Sequence, residues 1–139
     1  MLSKFQTYSH SKTLLKYHLI FSTKYRRDCL SEIRESVIDS FRKIENTSDF
    51  KILEMEIDKN HIHFLVTFKP SLSITQVVRR LKQLSTYHIW KKEESFLRNF
   101  YWKKKVLWTK GYFCSTIGEV SEETLKNYIR NQGWKQFIY

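Results

Sequence analysis

Two histidines, His61 and His63, stand two residues apart in the run KNHIHFLVTF, residues 59–68, which otherwise has the character of a buried strand. Residues i and i+2 of a strand share a face, so both imidazoles project to one side while Ile62, Phe64, Val66 and Phe68 project to the other. Neutral imidazole nitrogens side by side form a clamp for a metal ion. Histidines in this pattern are as often hydrogen-bonded surface residues, and a third ligand separates the two cases. Tyr128 and Gln132, in YIRNQ, stand at i and i+4, so on a helix they share a face one turn apart. Two imidazoles and one amide oxygen leave coordination positions open, which suits a hard divalent ion, Mg2+ or Mn2+, gripping phosphate oxygens better than a closed zinc site. Such an ion would offset charge on a phosphodiester and orient it, and Tyr128, with a reference pKa of about 10, would attack once deprotonated. The tyrosine would then be joined covalently to DNA, and a free hydroxyl could later reseal the strand without ATP. Without the histidines, Tyr128 reads as a packed residue of an amphipathic helix beside Leu125 and Ile129.

The elements that must position these groups follow from periodicity. Between Leu14 and Thr23, Tyr17, Leu19 and Phe21 alternate with His18, Ile20 and Ser22, which predicts a first strand. Leu30, Ile33, Val37, Phe41 and Ile44 recur at helical spacing. Residues 50–57 and 60–68 predict two strands joined by Asp58-Lys59-Asn60 as an antiparallel hairpin. Ser73 and Gln76 form a capping-box pattern that opens a second long helix, its stripe of Ile74, Val77, Val78, Leu81 and Leu84 running to about Trp90. WTKGYFCST predicts a fourth strand, and Ser121 opens a short helix through ETLKNYIRNQ that Gly133 ends. The order βαββαβ followed by a helix predicts an α+β, ferredoxin-like (RRM-like) fold. Its antiparallel sheet carries both long helices on one face and leaves the other open for a ligand. With one proline, three glycines and no repeat, nothing divides residues 1–139 into more than a single domain.

Lys and Arg total 25 against 14 Asp and Glu, a net charge of +11 that points to a polyanionic partner. Aromatic residues interleave with the cations in Lys24-Tyr25-Arg26-Arg27 and Tyr101-Trp102-Lys103-Lys104-Lys105, as stacking on unpaired bases beside phosphates requires. Single-stranded nucleic acid fits this better than a membrane. Lys24, Arg26, Arg27, Arg79 and Arg80 are the candidate DNA contacts, with Tyr25 as a stacking residue. Cys29 and Cys114 form no CxxC pair, which favours a reducing cytoplasm. The absence of a signal core or of an apolar run near the ~18 residues needed to span a bilayer predicts a soluble, cytoplasmic protein.

Over nearly its whole length the chain resembles the small single-tyrosine HUH transposases of bacterial insertion sequences, the TnpA proteins of the insertion sequence 200/605 type. The segments that carry the resemblance are YHLIFSTKYRR (17–27), HIHFLV (61–66), WTKGYF (108–113) and YIRNQ (128–132). It implies a homodimer that binds imperfect hairpins of single-stranded DNA at transposon ends and cuts and rejoins them with a divalent metal. By position, His61 and His63 match the HUH pair, Tyr128 the nucleophile that forms a 5′-phosphotyrosine, and Gln132 the third metal ligand. The resemblance further implies that Tyr128 of one chain can serve the histidines of the other. A domesticated relative that processes genomic repeats would share these motifs. A non-catalytic RNA-binding module is the competing reading, since RNA-recognition domains share the βαββαβ order. Lys110-Gly111-Tyr112 begins like their aromatic motif, but Phe113 takes the place of the required Gly or Ala. A zinc-stabilised domain would need four closed ligands, and only His18 and the cysteines remain to supply more.

Overall fold

In the computed structural model, which describes residues 15–116, the first alternating segment forms strand β1, Leu15–Ser22. A short helical turn, Ser31–Ile33, leads into helix α1, Arg34–Asn46, whose Val37, Phe41 and Ile44 are buried. Strands β2, Phe50–Ile57, and β3, His61–Phe68, form the expected hairpin, with the Asp58 N–H donating to His61 O at 2.9 Å across the turn. Helix α2, Ile74–Leu97, begins at the expected capping box, where Ser73 N donates to Gln76 Oε1 (2.9 Å) and Gln76 N to Ser73 Oγ (3.1 Å). Strand β4, Phe113–Thr116, completes an antiparallel sheet of order β2-β3-β1-β4. This is the α+β, ferredoxin-like arrangement that the element order implies. The terminal helix expected from Ser121 onward lies outside the described residues. No helix among the described residues is long and apolar enough to cross a membrane.

Helix α2 continues past Trp90, where the apolar stripe fades into Lys91-Lys92-Glu93-Glu94, because Lys and Glu are good helix formers and Leu97 resumes the buried face. Glu93 departs from helical geometry (φ −121°, ψ 33°) as its carboxylate accepts a hydrogen bond from Ser36 of α1. Strand β4 is shorter than WTKGYFCST. Trp108 makes only an isolated bridge to Thr23, and the carbonyls of Thr109, Lys110 and Gly111 are taken by Lys82 Nζ at 2.7, 2.9 and 3.0 Å. Those acceptors serve a side chain of α2, so the strand starts only at Phe113.

A β-bulge at Leu53 reconciles FKILEMEI with the sheet. Ile52 pairs with Val66 but Glu54 pairs with Leu65, so one residue of β2 has no counterpart on β3. Strict alternation would turn Glu54 and Glu56 toward the helices with Phe50 and Ile52. The extra residue reverses the phase, so that Met55 and Ile57 join the core and the carboxylates take the opposite face. Helix α1 satisfies the backbone where the phase changes: Ile52 N donates to Glu45 Oε2 (2.7 Å) and Arg42 donates to Ile52 O (3.0 Å). The edge strand thereby keeps fewer open backbone groups.

Between sheet and helices the core is aromatic. Phe64 packs edge-on against Phe21 (ring centroids 5.2 Å) and Phe41 (4.7 Å), and Trp108 abuts Phe21 at 5.7 Å. Phe64 is fully buried. Phe64→Ala is therefore expected to cost about 3–5 kcal/mol, a large part of the roughly 5–15 kcal/mol that holds a domain folded. Urea unfolding followed by circular dichroism would read this as a lower midpoint with unchanged slope; an unchanged midpoint would remove Phe64 from the core. The face away from the helices departs from expectation. His18, Ile20, Ser22 and Leu65 on that face are buried, so its centre is a packed surface and not an open platform.

Candidate metal and nucleic-acid site

The phase of β3 places His61, His63, Leu65 and Thr67 together, opposite the core residues Ile62, Phe64, Val66 and Phe68. The two imidazoles share a face as their spacing implies, but they meet different surroundings. His61 Nδ1 donates to Asn60 Oδ1 at 3.2 Å, and Asn60 Nδ2 donates onward to Asp28 Oδ1 at 3.2 Å. Asn60 thus assigns the proton to Nδ1 and leaves Nε2, 3.9 Å from Asp58 Oδ2, with its lone pair. Burial holds His61 below the ordinary imidazole range, opposed by Asp58 and reinforced by His63 and Arg26, so the ring is neutral at physiological pH. A neutral imidazole with a fixed tautomer is the form a metal needs.

His63 is 7% exposed and has neighbours at both nitrogens. Its Nε2 lies 2.6 Å from Nδ1 of His18, with the two rings stacked at 4.8 Å, and its Nδ1 lies 3.3 Å from Glu56 Oε1. Hydrogen bonding between two imidazoles requires one donor and one acceptor, hence at least one neutral ring. A metal ion on His63 would have to replace one of these contacts. The Glu56 side chain is 57% exposed while His18 is wholly buried, so the Glu56 contact exchanges more readily. Among the described residues, no three His, Cys, Asp or Glu side chains gather tightly enough to hold a metal. His61 and His63 offer two imidazoles on one face, so an ion held there would draw its remaining ligands from elsewhere. Tyr128 and the expected third ligand, Gln132, lie outside the described residues.

Asn60, the residue before the first histidine, is legible in the sequence as a support for His61, whereas the other two partners of the pair, Glu56 and His18, are not. Glu56 reaches His63 only because the bulge reverses its face. His18 comes from β1, 45 positions from His63, and its one signal is a histidine on the polar phase of an alternating strand.

The candidate DNA contacts occupy two regions. Lys24–Arg26 form a tight helical turn after β1, and Tyr25 (φ 59°, ψ 16°) and Arg26 (φ 54°) adopt left-handed backbone conformations. For non-glycine residues this costs roughly 1–2 kcal/mol each. Lys24 Nζ and the Arg27 guanidinium lie 5.7 and 5.8 Å from the Tyr25 ring centroid, while Arg26 contributes to the field at His61. Arg80, by contrast, is bound to the end of α1, donating to Thr47 O (2.9 Å) and Ser48 Oγ (2.5 Å). It acts there as a staple between the two helices. Arg79 is exposed on α2.

Tyr101 secures the strained turn by donating its hydroxyl to Lys24 O at 2.7 Å, and the Cys29 thiol donates to the Tyr101 hydroxyl oxygen at 4.0 Å. Burial pushes the Cys29 thiol up to about 11 and raises the Tyr101 phenol still further. Above pH 9 the unfolded chain therefore releases protons that the folded chain retains, and stability falls as pH rises toward 11. Burial pulls the Lys82 ammonium down to about 8, against the carbonyls that favour its charge, so its effect between pH 8 and 10.5 has the opposite sign. Cys29→Ala is expected to flatten the decline in melting temperature between pH 9 and 11; parallel profiles for both proteins would exclude the thiol as its source.

A ferredoxin-like sheet with a histidine pair turned away from its core matches the frame implied by the motifs. The chain belongs to the family described as IS200-like transposases, whose model matches residues 11–132. It is 30% identical over 125 residues to the transposase for insertion sequence element IS200 of Salmonella typhimurium, covering 89% of this chain and 80% of the relative. It is 28% identical over 123 residues to the ISDra2 transposase TnpA of Deinococcus radiodurans, covering 88% and 86%. In three dimensions it resembles the crystal structure of a transposase from Deinococcus radiodurans R1, with a TM-score of 0.70 at 28% identity over 86% of this chain and 92% of the other. The REP-associated tyrosine transposase bound to a REP hairpin shares the fold, with a TM-score of 0.59 at 13% identity over 86% and 69%.

Proposed function

We propose that this transposase binds single-stranded DNA hairpins at transposon ends and cleaves and rejoins them through a 5′-phosphotyrosine on Tyr128. The observation that carries the reading is the histidine pair on one face of β3, with His61 held neutral and its Nδ1 proton assigned by Asn60. A divalent ion, Mg2+ or Mn2+, held by His61, His63 and Gln132, would supply Lewis-acid neutralisation of the phosphodiester oxygens. Tyr128 Oη attacks phosphorus, the bond to the 3′ oxygen breaks, and the leaving strand takes a proton to become a free 3′-hydroxyl. Rejoining reverses this: a 3′-hydroxyl attacks the phosphotyrosine, and Tyr128 departs. Asn60 keeps His61 oriented, and His18 holds His63 from beneath. The chain acts as a homodimer in which Tyr128 of one subunit serves the histidines of the other. Both cysteines of the described region are free, which supports work in the reducing cytoplasm.

The test incubates the protein with labelled single-stranded hairpin DNA from the element's own ends, with Mg2+ or with chelator, and resolves the products on a denaturing gel. A covalent protein–DNA band that needs the metal supports the reading. Tight binding without that band would make this a DNA-binding protein that does not cut.

A further inference from the structure

The strained turn at Lys24–Arg27 and the segment Phe100–Val106 face each other across an open cleft of about 420 Å³. That volume lies within the roughly 300–1,000 Å³ of small-ligand sites. Lys24, Arg27, Lys103 and Lys104 line the cleft, and none of its described lining residues is a carboxylate. The neighbouring Lys105 is paired with Glu94 at 3.6 Å, whereas Lys103 and Lys104 have no carboxylate partner among the described residues. Two rings stand at the same place and face solvent, Tyr25 at 69% and Trp102 at 65% exposure. Exposed rings beside cations without acidic partners are the complement of a flat base attached to phosphate.

The cleft is also built in advance. Tyr101 donates its hydroxyl to Lys24 O at 2.7 Å and Lys24 N donates to Leu107 O at 2.8 Å, so the two walls are joined at their base. The left-handed backbone at Tyr25 and Arg26 is strain of the kind found where a side chain must be aimed. It sends the Tyr25 ring and the Arg27 guanidinium to the cleft while Arg26 remains within the field of His61. One turn thus links the cleft to the histidine pair.

We propose that this cleft holds one unpaired nucleotide of single-stranded DNA, its base against Trp102 and Tyr25 and its phosphates against Arg27, Lys103 and Lys104. The assignment rests on the reading that the chain acts on single-stranded DNA, and names the place where a base outside any duplex is held. It also explains Trp102, a large exposed ring immediately before the lysine run Lys103–Lys105, which neither the metal site nor the core uses.

The experiment measures anisotropy of a labelled short oligothymidylate, and of the same backbone without bases, with the full-length protein and its Trp102→Ala variant. Trp102 is exposed, so its removal leaves the core intact. Binding of oligothymidylate should weaken about five- to 150-fold, matching the roughly 1–3 kcal/mol of stacking one base at about 1.4 kcal/mol per tenfold. Binding of the abasic backbone should change less than about twofold, since only phosphate contacts remain. A Lys103→Ala/Lys104→Ala protein should lose about 1.4 from the slope of log K against log salt, roughly 0.7 for each of two phosphates. Equal loss with both ligands, or no loss with either, overturns the nucleotide site. If Trp102→Ala binds normally and still forms the metal-dependent covalent band, the cleft assignment fails while the proposed function stands. Failure of the wild type to bind any single strand overturns both, and tighter binding of oligouridylate than of oligothymidylate overturns the assignment to DNA.

Discussion

Tyr128→Phe is expected to abolish the covalent protein–DNA band and lower strand cleavage by at least about 10⁴-fold, the scale seen when a nucleophile is removed. Affinity for the hairpin should stay within the roughly 0.5 kcal/mol of an ordinary surface substitution, because the change deletes one oxygen. That separation of binding from bond breaking is the signature of a nucleophile. A packing tyrosine would instead lose stability and leave the chemistry in place, and a covalent band retained by the phenylalanine protein would overturn the assignment. The same variant tests subunit exchange. Tyr128→Phe chains mixed with His61→Ala/His63→Ala chains form heterodimers with one intact site only if tyrosine and histidines come from different subunits. Recovered cleavage in the mixture supports completion in trans; continued inactivity of heterodimers shown to have formed overturns it.

Loss of the histidine pair should have the next largest effect. His61→Ala/His63→Ala is expected to reduce metal-dependent cleavage on the order of 10³-fold, corresponding to several kcal/mol of charge stabilisation. Heat of Mn2+ binding, measured by titration calorimetry, should vanish with it. Asn60→Ala should cost less, about 10–100-fold, as expected for a group that orients a ligand. Because Asn60 Oδ1 accepts the Nδ1 proton of His61, its removal frees the imidazole to take either tautomer. His63 is buried against His18, so His63→Gln is a useful companion that keeps polar volume in that space. Full Mn2+ binding by the double variant would show that the ion is held elsewhere.

Much of this frame is legible in single segments. The capping box at Ser73, the stripe through Val37, Phe41 and Ile44, and the shared face of His61 and His63 all depend on residues within a few positions of each other. Local periodicity expresses such relations directly. It loses α2 beyond Trp90 because helix-forming charged residues carry no apolar mark. It overextends β4 because only the tertiary structure brings Lys82 to the carbonyls of residues 109–111.

The candidate DNA contacts show the same division. Charge and type alone make Arg27 and Arg80 equivalent, yet Arg27 lines an open cleft beside Tyr25 while Arg80 is bound at the end of α1. A guanidinium bonds whichever acceptors the fold brings near, and sequence spacing does not number those acceptors. Trp102 joins Tyr25 in that cleft although 77 residues of chain separate Lys24 from the Tyr101 hydroxyl that anchors it.

By itself, the sequence determined the family, the order of the described elements, the face shared by the two imidazoles and the residues proposed for the chemistry, because each depends on identity and short-range spacing. The tertiary structure alone decided that His18 stacks on His63, that a bulge at Leu53 turns Glu56 toward it, and that Asp28 supports Asn60. Those contacts depend on strand register and loop closure, which the chain sets only when distant segments pack together.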